Sequence, residues 1–168
     1  MIFCGIPGSG KTTLAHLVTE AMGNAVHVQT DTIRFMMSAP KYTWEEARFV
    51  YESAFLIGRE ALKRGYDAVL DGTFLREDYR QEALARLSGH YSSAAVVCVT
   101  CRKETARARN SSRNPAVPEE SFDRLVKSFE LPEDGIIVRT DARAPSSCAR
   151  YVLRRLSKLP GWEDGRAT

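Results

Sequence analysis

Short apolar runs separated by longer stretches of helical periodicity set the rhythm of this chain. Five runs, at 1–4, 25–28, 68–70, 94–99 and 136–138, are brief and β-rich, and each reads as a buried strand. Between them the spacing turns helical. The clearest case is 45–64, where Ala47, Val50, Tyr51, Ala54, Ala61 and Leu62 recur on one face before Gly65 ends the pattern. Phe122, Leu125, Val126 and Phe129 repeat at helical spacing behind Pro118. Strands alternating with helices predict an α/β fold: a doubly wound, parallel five-stranded sheet covered on both faces, with right-handed crossovers. Such sheets bind ligands beyond the carboxyl ends of their strands, and Asp31, Asp71 and Arg102 all fall there.

Length and composition narrow the class without changing this outline. The 168 residues make one domain, expected over 1–160, with a polar tail over 161–168. The 43% hydrophobic and 27% charged content belongs to a packed globular chain rather than a disordered one. No apolar stretch reaches the length of a membrane span, and Met1 leads straight into a motif, so a cytoplasmic protein with no membrane partner is expected. Cys4, Cys98, Cys101 and Cys148 lack the dense framework of a small secreted domain and are expected as reduced thiols. Cys98 and Cys101 have the spacing of half a zinc site, but no second pair exists and strand alternation points them apart. His16, His27 and His90 are far apart in sequence and are assigned structural or surface roles; Met36 and Met37 are assigned to packing.

The chemistry is concentrated at the start. Gly5-Ile6-Pro7-Gly8-Ser9-Gly10-Lys11-Thr12 has the eight-position pattern of a P-loop, placed after an apolar strand and before a helix carrying Leu14, Leu17 and Val18. Glycines let backbone N–H groups approach phosphate, and a helix N-terminus adds partial positive charge at the same point. Gly8, Ser9, Gly10, Lys11, Thr12 and Thr13 are therefore the expected ATP-binding residues. Lys11 would reach the β and γ phosphates, and the Thr12 hydroxyl would ligate magnesium.

Three further features suit phosphoryl transfer. Asp31 and Arg34 stand one helical turn apart, where a carboxylate can take a hydroxyl proton and a guanidinium can grip an anionic acceptor; an N-cap aspartate beside a surface arginine is the plainer reading. Asp71 closes a strand before Gly72, where a second carboxylate can serve magnesium or its water, or simply make a turn. The basic stretch from Arg102 to Arg113 predicts a small arginine-bearing lid over about 102–117. In it Arg102, Arg109 and Arg113 share roughly one face, while Lys103 and Arg107 remain a solvated basic surface.

Together these residues resemble the P-loop kinase family that includes the kinase domains of phage and bacterial polynucleotide kinases, phosphoseryl-tRNA kinase and stand-alone kinases. The resemblance rests on the P-loop through Thr13, on Asp31-x-x-Arg34, on Asp71-Gly72-Thr73 and on Arg109-Asn110-Ser111-Ser112-Arg113-Asn114-Pro115-Ala116-Val117-Pro118. It implies that Asp31 is a general base, that Arg34 binds the acceptor, and that Arg113 contacts ATP phosphates from the lid, with Arg109 beside it. The acceptor so implied is the 5′-hydroxyl of RNA or DNA. A small molecule or an aminoacyl group on tRNA is the alternative, and an ATP-hydrolysing switch for a protein partner is a third.

Overall fold

The computed structural model describes residues 1–41 and 43–162. The chain forms β1 (Ile2–Cys4), α1 (Lys11–Met22), β2 (Ala25–Gln29), α2 (Thr30–Phe35), α3 (Trp44–Lys63) and β3 (Asp67–Asp71). It continues through α4 (Glu77–Leu87), β4 (Val96–Thr100), α5 (Lys103–Ser111), α6 (Glu119–Lys127), β5 (Ile136–Arg139) and α7 (Pro145–Leu156). The five strands make one parallel sheet in the order β2-β3-β1-β4-β5, which is the expected doubly wound P-loop fold. Each predicted strand is present, and β4 begins two residues later than its apolar run.

Alternation along the strands decides which helix covers which face. Ile2, Cys4, Leu70 and Cys98 point into a core with Val50, Ala54 and Phe55 of α3 and Ala83 and Leu87 of α4. Phe3, Val69, Val97 and Val99 point the other way, onto Leu14 and Val18 of α1 and Val152 and Leu156 of α7. Burying each such side chain contributes roughly 1.5–3 kcal/mol, so both layers are held chiefly by apolar area. A small third cluster of Ile6, Ala106 and Phe122 seats α5 and α6 beside the P-loop. Thr43 caps α3, accepting from the Glu46 N–H, and Gly65 closes it with φ of 81°.

One expectation changes here. Met37 packs against the α3 core but Met36 is 76% exposed, because it follows the last turn of the short α2 and faces away from the sheet. Of the expected tail 161–168, residues 163–168 lie outside the described residues; the Gly161 carbonyl accepts from the Ser92 hydroxyl and Trp162 packs on the α1–α7 core. Among the described residues no helix is long and apolar enough to cross a membrane.

Arg80 is a buried charge that the sequence pattern hides. It is 0% exposed, donates to the Phe74 carbonyl at 2.8 Å, and pairs with Glu77. Phe74 has φ of 37°, unusual for a residue with a side chain, so Arg80 pins the strained turn that follows β3. Replacing Arg80 with alanine should cost about 1–3 kcal/mol, read as a lowered urea midpoint, because the buried Phe74 carbonyl loses its donor while the part-exposed Glu77 keeps Gln81.

Candidate active site

The loop between β1 and α1 is shaped for close backbone approach. A Cβ on Gly8 would lie 2.1 Å from the Ala106 carbonyl oxygen, and one on Gly5 would lie 2.3 Å from that of Val99, so α5 and β4 press directly on the loop. Lys11 folds back to donate from Nζ to the Ile6 carbonyl at 3.0 Å. Burial pushes its ammonium below the ordinary value, with Asp71 and Asp31 opposing. The first turn of α1 contains no acidic residue and Gly10 supplies no side-chain cap, which leaves the positive end of the helix for an anion. Thr12 and Thr13 are exposed and line the cavity above.

That cavity, about 520 Å³, is where the predicted residues meet. Gly8, Gly10, Lys11, Thr12, Thr13, Asp31, Arg34, Asp71, Arg109 and Arg113 all line it. Ser9 lies beneath, buried, its hydroxyl without a hydrogen-bond partner. Asp31 and Arg34 do sit on one turn of α2, yet they engage different partners. Asp31 accepts from the Arg113 guanidinium at 2.7 Å, and Arg34 is ion-paired with Glu46 of α3. The Arg34–Glu46 pair is close to buried, 11% and 10% exposed.

Asp71 is held by a chain of donors that the sequence reading did not assemble. Gln29 Nε2 lies 3.2 Å from His27 Nδ1, and an amide nitrogen only donates, so Nδ1 accepts and the ring proton sits on Nε2. That Nε2–H donates to Asp71 Oδ2 at 3.3 Å. His27 is thus structural, as expected, but its partner is a site carboxylate. Alternation puts His27 and Gln29 on one face of β2, but their meeting with Asp71 needs the pairing of β2 with β3 that sets Gln29 opposite Asp71, which periodicity does not supply. Beyond Asp71, the Tyr51 hydroxyl lies 3.0 Å from the Thr73 hydroxyl and also accepts from the Phe74 N–H at 3.4 Å. Burial pushes the Tyr51 phenol up, so it remains a neutral hydroxyl in the cavity wall.

The basic stretch divides its work differently from the single face predicted. Arg102 precedes α5 and pairs with Asp141, which also binds Arg139; these contacts hold the Asp141 carboxyl well below the usual carboxylate range. Arg109 donates to the Thr140 hydroxyl and carbonyl at 3.0 and 3.3 Å, and the Thr140 hydroxyl donates to the Ser9 carbonyl at 2.6 Å, tying α5 to the P-loop. Arg113 lies past the end of α5, and the turn there sends it across to Asp31 instead of along the face of Arg109. Lys103 and Arg107 are not merely solvated: both bind Asp123 and Arg107 also binds Glu119, joining α5 to α6. Cys98 and Cys101 diverge as alternation requires, Cys98 into the core and Cys101 toward the Gly8 carbonyl.

The residues present fit a nucleoside triphosphate. The unpartnered Ser9 hydroxyl, the Lys11 ammonium turned over the loop, the uncapped α1 terminus and the cavity-lining Arg109 and Arg113 form an anion cradle. Among the described residues no cluster of three or more His, Cys, Asp or Glu side chains could hold a metal by itself, so magnesium here would need Thr12 together with phosphate oxygens. Solved structures show the same fold. An unliganded sugar kinase from Janibacter sp. HTCC2649 is 20% identical with a TM-score of 0.74, covering 93% of this chain and 92% of that one. Chaetomium thermophilum Kti12 in complex with ADP-AlF3 is 17% identical (TM-score 0.72; 96% and 98% covered). Mycobacterium tuberculosis APS kinase CysC, in complex with AMPPNP and APS, is 14% identical (TM-score 0.72; 94% and 96% covered). No curated protein sequence matches the chain. The family model described as an AAA domain matches residues 1–132, and the chain belongs to that AAA domain family.

Proposed function

We propose that this protein is an ATP-dependent kinase that moves the γ-phosphoryl group to a hydroxyl acceptor held beside Asp31. The observation that carries this reading is the convergence on one cavity of a phosphate-cradling loop, two carboxylates and the arginines Arg109 and Arg113. The loop from Gly8 to Thr13 would hold the phosphates, and the Thr12 hydroxyl would hold magnesium, with Asp71 orienting the ion's water. When bound, the ion supplies charge neutralisation on the phosphates. Asp31 takes the acceptor proton as the acceptor oxygen bonds to the γ-phosphorus and the bond to the ADP oxygen breaks. Arg113 exchanges Asp31 for the phosphoryl oxygens, so in this reading the lid is the turn after α5 that carries Arg113, while Arg109 and Arg107 hold the helix itself to the P-loop and α6.

A small-molecule acceptor is favoured over the 5′-hydroxyl of RNA or DNA. Strand binding wants a basic groove with cations free to meet phosphates, whereas Arg34 is nearly buried against Glu46 in the cavity lining. Sugar and APS kinases among the structural neighbours are named for small acceptors. The test is transfer of labelled γ-phosphate from ATP with magnesium to a pool of sugars, sugar acids and nucleosides, beside 5′-hydroxyl RNA and DNA oligonucleotides. Label in the pool alone supports the small acceptor; label on oligonucleotide ends alone overturns it.

Holding Asp71 is the role of His27 in this scheme. His27→Ala should raise the magnesium concentration for half-maximal transfer about 10-fold, as removal of an outer-shell partner does. His27→Gln, which keeps a donor, should recover part of the loss in a magnesium titration.

A further inference from the structure

A second cavity, about 290 Å³, opens between α3 and α4 and shares Ala47, Tyr51 and Tyr79 with the wall of the first. We propose that it is an acceptor subsite that takes a flat, neutral ring attached to the hydroxyl being phosphorylated; this rests on the kinase reading above.

The sequence of α3 shows why the space exists. Trp44, Ala47, Tyr51 and Phe55 fall on one helical stripe, and its later part buries against the sheet and α4. At the first turn the stripe continues but its cover does not: Trp44 is 67% exposed, and Tyr79 on the facing helix is 40% exposed. Two large aromatic side chains therefore flank an opening beside the residues that would handle the acceptor hydroxyl.

Charge selects the occupant. The charged groups at the opening are Arg48, Glu52 and Glu82, with Arg76 and Arg86 beside them, and the cations are already engaged. Arg48 already lies over the Trp44 ring at 5.9 Å, and Arg76 lies over Tyr79 at 5.6 Å, so the nearby cations are laid on aromatic faces. Glu52 is paired with Arg86. A phosphate or carboxylate would have to draw one of these arginines off its aromatic face or its carboxylate, whereas a neutral ring gains contact with the aromatic lining without breaking them. The Tyr51 phenol, fixed by Thr73, forms the shared wall over which ring and hydroxyl would be joined.

The experiment uses a Trp162→Phe background, in which Trp44 is the sole tryptophan. Its emission is titrated with adenosine and 4-hydroxyphenethyl alcohol, which carry rings, and with ribose, which does not. The proposal expects saturable quenching by the ring-bearing compounds and none by ribose. In transfer assays, Trp44→Ala, a change outside the main cavity, should raise KM for ring-bearing acceptors by about 10-fold, with ring-free acceptors unaffected. Equal responses to ribose and adenosine, no quenching by any ring, or an unchanged KM in the variant would overturn it. Adenosine binding without the phenethyl alcohol assigns the ring to a nucleoside; the reverse assigns it to a simple aromatic alcohol. Quenching without any phosphoryl transfer would leave the ring site standing and remove the kinase reading, and transfer with no ring preference would do the opposite.

Discussion

Lys11→Met is expected to lower phosphoryl transfer by about 10³-fold, the scale of losing one preorganised charge from a transferring phosphoryl group. The residue is buried at the floor of the cavity, and its ammonium is turned over the loop onto the Ile6 carbonyl. Methionine fills the same volume without the charge, so the loss should come without unfolding. Stability should in fact respond in a defined direction. Burial depresses the Lys11 ammonium from its ordinary value of 10.5, so the unfolded chain holds that proton more tightly than the folded one. Its contribution is then full above 10.5 and is lost as pH falls through the depressed folded value. At neutral pH the charge is a burden, and Lys11→Met should match or exceed the wild type in Tm while losing that part of the alkaline rise.

Asp31→Asn should lower kcat by about 10²–10⁴, the usual worth of a positioned general base. Shape is preserved and the amide oxygen can still accept from Arg113, so the geometry seen at 2.7 Å has a substitute while proton acceptance does not. Single-turnover rates with saturating ATP separate this loss from binding. A loss below about 3-fold would place Asp31 as a mere tether for Arg113 and move the proton acceptor elsewhere.

Much of this site could be read from the sequence because its parts are local. The P-loop is a fixed eight-position spacing, and Asp31 with Arg34 is a single helical turn; both sit where expected. The inner strands β1, β3 and β4 were legible because a strand buried on both faces leaves an apolar run, and the edge strands β2 and β5 because they stay β-rich though partly exposed. What was not legible depends on residues distant in sequence. Arg113 reaches Asp31 across 82 positions, His27 reaches Asp71 across 44, and Thr140 reaches Ser9 across 131. None of these follows from periodicity, since each needs the strand order that brings β2 beside β3 and β5 beside β4. The basic run illustrates the same limit: one composition contained a tether to Asp141, a tether to Thr140, a helix clamp and a latch on Asp31. Helix α7 escaped notice because Cys148, Ala149, Val152 and Leu156 are interleaved with Arg150, Arg154 and Arg155.

The most direct measurement of the central claim is the fate of the γ-phosphate, followed by phosphorus NMR in a reaction of wild-type protein with ATP, magnesium and the mixed hydroxyl pool, beside Lys11→Met. The kinase account predicts a phosphomonoester resonance that grows with ADP in the wild type and is absent in the variant. Inorganic phosphate growing alone, with no phosphomonoester from any acceptor, would contradict it and leave a nucleotide hydrolase.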